Sequence, residues 1–144
     1  MRLLVLFVAA CTLSDRWDDV PTASVHVEGD HGTDVGDAID AWESVLPARC
    51  PVPFALANHG HRVRVLGAGA WPWRADASGV ITPRGGIDVR DGDAAVVVLE
   101  HELGHALGLE HVTDRPSIMA PTGELPDAPT AADGDAAARA LGCL

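Results

Sequence analysis

At 144 residues with a formal charge of −11, the chain is one acidic domain, long enough to enclose a hydrophobic core. Its ten basic residues are all arginine, and this balance excludes nucleic acid and anionic membrane surfaces as partners, because phosphate contacts need a clustered basic patch. The acidity reads as solubility, and a monomer is expected.

In chain order, Met1-Arg2 followed by Leu3 to Ala10 reads as an export signal over residues 1–10, with one basic residue and then an apolar stretch too short to span a bilayer. Val8-Ala9-Ala10-Cys11 resembles a lipobox, which predicts a lipid on Cys11 and a membrane contact through that anchor alone. Val8 and Ala10 also suit an ordinary cleavage site, so the alternatives are a cell-envelope lipoprotein and a secreted protein. Residues 11–23 read as a tether, and residues 24–144 as the folded domain.

Within the domain, Ser24–Glu28 alternates as a strand. Thr33 is placed to cap a helix from Asp34 to Leu46, with Val35, Ile39, Trp42 and Leu46 as its apolar stripe and Pro47 as its stop. His61–Leu66 alternates cleanly, and Val80–Thr82 and Ile87–Arg90 are shorter strands separated by Gly85-Gly86. Asp93 is expected to cap the next helix, whose start is buried by Val96, Val97 and Leu99. Residues 122–133 read as a loop, and Thr130 with Asp133 forms a capping box opening a last helix to Leu141. The order predicts an α+β domain with a twisted sheet on two helices and a third, C-terminal helix.

The chemistry lies in His101-Glu102-Leu103-Gly104-His105-Ala106-Leu107-Gly108-Leu109-Glu110-His111. Residues four apart share a helix face, so His101 and His105 point the same way, with Glu102 beside that face. Gly108 permits a positive φ that ends the helix and carries His111 back toward the other two imidazoles. Three protein ligands with an open fourth position form a catalytic zinc site rather than a structural one. The competing reading, surface histidines on an amphipathic helix, does not need Gly108 and His111 together. Glu124 would serve as a ligand only if the third donor were a distant carboxylate.

The full motif resembles that of the metzincin zinc endopeptidases, and Ser117-Ile118-Met119-Ala120-Pro121, eight residues beyond His111, is similar to the methionine turn of the matrixin branch. The resemblance is specific over residues 94–121 and implies a zincin-like fold. It also implies one zinc ion on His101, His105 and His111, Glu102 as general base, and Met119 as the apolar floor. A polypeptide substrate laid along the Val80–Thr82 edge follows by the same analogy. The chain departs from the family in lacking a second, structural zinc set, and in Ala120, where matrixins usually carry tyrosine. Calcium is common in the family, but no loop pattern assigns it a site here.

Cysteine arithmetic gives a further expectation. If Cys11 carries lipid, Cys50 and Cys143 are left to pair in an oxidising compartment. A competing reading likens Ala48-Arg49-Cys50-Pro51 to the prodomain cysteine that caps zinc in latent matrixins. His59 and His61 suit a loop better than a second metal, and Trp71-Pro72-Trp73 either lines a cleft or caps the core. The expected activity is hydrolysis of extended polypeptides. A non-catalytic zinc-ordered binding module of the envelope and a zinc amidase for short peptides are the alternatives.

Overall fold

The computed structural model describes the backbone of Leu4–Leu6 and all of residues 16–144. The strands and helices run β1 (Leu4–Leu6), β2 (Ala23–Glu28), α1 (Gly32–Val45), β3 (Phe54–Leu56), β4 (His61–Leu66), β5 (Gly79–Ile81), β6 (Ile87–Arg90), α2 (Ala95–Ala106), β7 (Thr122–Glu124) and α3 (Ala131–Ala140). Cys11 lies outside the described residues, as does most of the segment read as export signal. Leu4–Leu6 pairs antiparallel with β7, within the stretch expected to be loop alone.

A five-stranded mixed sheet in the order β3-β2-β4-β6-β5 forms one layer. β2 runs parallel to β3 and β4, β4 parallel to β6, and only the edge strand β5 is antiparallel, with Gly79 opposite Val89. α1 lies in the crossover from β2 to its parallel neighbours β3 and β4, as parallel pairing requires, and α2 follows β6 and packs on β5, β6 and α1. Val25, Val63, Ile87 and Val89 are fully covered there against Trp42, Leu99 and Leu103. The α+β architecture expected from the element order is therefore observed.

Boundaries differ where local signals compete. α1 starts at Gly32 rather than Asp34, with His31 at its N-cap and the His31 Nδ1 to Asp34 Oδ2 contact at 3.0 Å, so Thr33 caps nothing. α2 starts at Ala95 with Ala94 as a cap that makes no side-chain bond, so Asp93 does not cap it. Its first turn is instead held by packing, as Ala95, Val98 and Leu99 are buried. α3 has the expected capping box, with Thr130 and Asp133 bonded reciprocally. β3 was not foreseen, being three residues that follow directly on Pro51 and Pro53. The later part of the segment read as a tether is packed into the domain. Trp17 is 3% exposed, meets Phe54 edge-on and donates its amide to Ala106 O at 2.9 Å.

Cys50 and Cys143 form a disulfide, which joins the end of α3 to the segment after α1 and rules out Cys50 as a cap on the metal. His61 stacks on Trp17 and bonds Asp19 and Gly85 O, so it serves the fold and not a second metal. Trp73 donates to Asp88 Oδ2 at 2.8 Å, while Trp71 lies under the Arg90 guanidinium. Both indoles therefore pin the Gly67–Ser78 loop to the sheet.

Candidate metal centre

α2 puts His101 and His105 one turn apart on a shared face, and the turn after it supplies His111. Gly108 has φ +97°, and its amide bonds His105 O while the Leu109 amide bonds Gly104 O. These bonds close the helix end and turn the chain back, a conformation that strains any residue with a Cβ. The Val112 amide then bonds Met119 O at 3.0 Å, tying the third histidine's segment to the turn beneath it.

The three Nε2 atoms lie 3.1 Å (His101–His105), 3.2 Å (His101–His111) and 3.3 Å (His105–His111) apart. His101 Nδ1 bonds Ile118 O and His105 Nδ1 bonds Leu109 O, each at 2.7 Å. A carbonyl only accepts, so both rings carry their proton on Nδ1 and direct bare Nε2 lone pairs inward. Converging lone pairs repel, and the arrangement makes sense around a cation. Ligand nitrogens set tetrahedrally at zinc's usual bond length stand about 3.3 Å apart, so the trio fits a zinc ion without adjustment. Among the described residues this is the one group of three metal-capable side chains, and it contains no carboxylate, so Glu124 is not part of it.

Burial pushes all three imidazoles below their ordinary pKa, His101 furthest. They are therefore neutral at neutral pH, as metal donors must be. His111 is the most accessible of the three, because one side opens on a cleft of about 420 Å³ floored by Leu109, Val112, Met119 and Ala136.

Glu102 is 1% exposed and sits on the β5 side of α2, against Gly79. Met119 is also 1% exposed and packs below the helix against Gly104, where a side chain would collide with Met119 Sδ.

Two features were missed in the sequence. Asp133, at 1% exposure, accepts from Ser117 Oγ at 2.5 Å, the Ile118 amide at 3.1 Å, and the Thr130 amide and hydroxyl at 2.8 and 2.9 Å. Through Ile118, whose carbonyl holds His101, α3 thus reaches a candidate ligand. The capping box signalled Asp133, but not this second role. The other is Glu100, 2% exposed, whose Oε2 has no hydrogen-bond partner among the described residues. Burial first, and Asp127 second, push its carboxyl up to about 8.

The model of the matrixin family matches residues 19–138, spanning the sheet, α2, the methionine turn and most of α3. No curated protein matches the chain.

Proposed function

The chain belongs to the matrixin family, and on that premise we propose that it is a zinc-dependent endopeptidase acting on extended polypeptides. The observation that carries the reading is the convergence of three neutral imidazole nitrogens beside a buried glutamate. Zinc bound by His101, His105 and His111 would act as a Lewis acid, lowering the pKa of a coordinated water toward about 7 and polarising the scissile carbonyl.

Glu102 takes the proton of the attacking water and returns it to the departing amide nitrogen, one carboxylate serving as base and then acid. Its burial removes competing solvent. The outer edge of β5 receives the substrate by strand addition; β5 ends the five-stranded sheet, which supports this. Met119 is the apolar floor that keeps α2 and the His111 turn in register.

Glu102→Gln should retain zinc while hydrolysis of unfolded casein falls by about 10²–10⁴-fold, whereas His111→Ala should lose the metal itself. Zinc analysis and chelator-controlled turnover on the pure protein read both. Chelator-sensitive casein cleavage supports the endopeptidase. Bound zinc without turnover would make this a binding module, and turnover confined to short amides would make it an amidase.

The protein is further proposed to be exported, since its disulfide suits an oxidising compartment. Lipid on Cys11 would then be its membrane anchor.

A further inference from the structure

We propose that Gly79 is a positioning residue for Glu102, its missing side chain being what holds the carboxylate in place; this rests on Glu102 being the base. Gly79 is not among the residues with positive φ, so its backbone does not demand glycine. The demand is for space. A Cβ there would lie 2.6 Å from Glu102 Oε1, 2.9 Å from Glu102 Cγ and 2.6 Å from Val98 Cγ1, well inside van der Waals contact.

Val98 and Glu102 stand one turn apart on α2, so together they form a wall against which β5 lies at Gly79. Neither Val98 nor the strand is free to retreat. Val98 is 1% exposed, and Val89, the partner of Gly79 across the β5–β6 pair, is fully buried. The Arg90 amide to Ser78 O bond, at 2.8 Å, fixes the strand immediately before Gly79. Of the atoms a methyl group would strike, the Glu102 carboxylate has the most torsional freedom, so it is what moves. The edge strand and the candidate base are thereby set against each other, with glycine fixing their separation.

The test is Gly79→Ala in the full chain. Zinc content should stay at the wild-type level, and kcat should fall by about 10²-fold, the usual effect of a misplacement near 1 Å, with KM within about threefold of wild type. A purely structural role would lower the melting temperature and leave kcat intact, which would overturn the proposal.

A double-mutant cycle on thermal stability reads the same contact without activity. Gly79→Ala should cost less in a Glu102→Ala background, where the obstructing carboxylate is gone. An equal cost in both backgrounds overturns the proposal. Should Gly79→Ala not fold alone, folding of Gly79→Ala/Glu102→Ala supports it and failure of both overturns it. A wild-type protein that cleaves nothing would defeat the peptidase reading, while the cycle would still decide whether Gly79 positions Glu102.

Discussion

At the residue scale, two buried carboxylates make opposite predictions. Glu100 keeps its proton up to about pH 8 when folded, whereas the unfolded chain releases it near the ordinary 4.5. Over that window the folded state binds more protons, so this group's contribution to stability falls as pH rises. Glu100→Gln should flatten that part of the stability profile and raise the melting temperature above pH 8, measured by calorimetry across pH. Asp133 differs in accepting four hydrogen bonds. Asp133→Ala should cost about 2–4 kcal/mol in denaturant unfolding by leaving buried donors unpaired. It should also weaken zinc about 10–100-fold in a competition titration, as expected for a group that orients a ligand.

At the scale of elements, the sign for the histidines follows from their lowered pKa values. Below their ordinary range near 6.5 the unfolded chain takes up protons that the folded site refuses, so stability falls as pH falls. Zinc retention and turnover should decline together below about pH 6, checked by metal analysis after dialysis.

The helix-and-turn geometry of His101, His105, Gly108 and His111 was legible because it is local, written in covalent spacing and one φ. The α3 capping box was legible for the same reason. The start of α2 was not, because Asp93 offered a local cap and the buried Ala95 and Leu99 outweighed it. Glu100 and Gly79 could not be read either. The burial of Glu100 depends on the fold around α2, and the reason for Gly79 is a side chain on another element. β3 offers too few residues for any alternation to register.

At the scale of the whole molecule, α3 is fastened at both ends: Asp133 to the methionine turn, and Cys143 to Cys50 across a separation of 93 residues. In the chain-entropy model, closing a loop of that size contributes about 4–5 kcal/mol. The paired replacement Cys50→Ser/Cys143→Ser should lower unfolding stability by about that amount in urea. If it hydrolyses exposed chain as proposed, the protein is also its own potential target, and the partly exposed segment after β7, around Leu125–Ala128, is a place for a nick. Such a cut would free a tail in an ordinary domain. Here the severed C-terminal piece would stay crosslinked to the rest, with its aspartate still gripping the loop under the imidazoles, so an autolysed molecule would run as two bands only after reduction and could go on working until then.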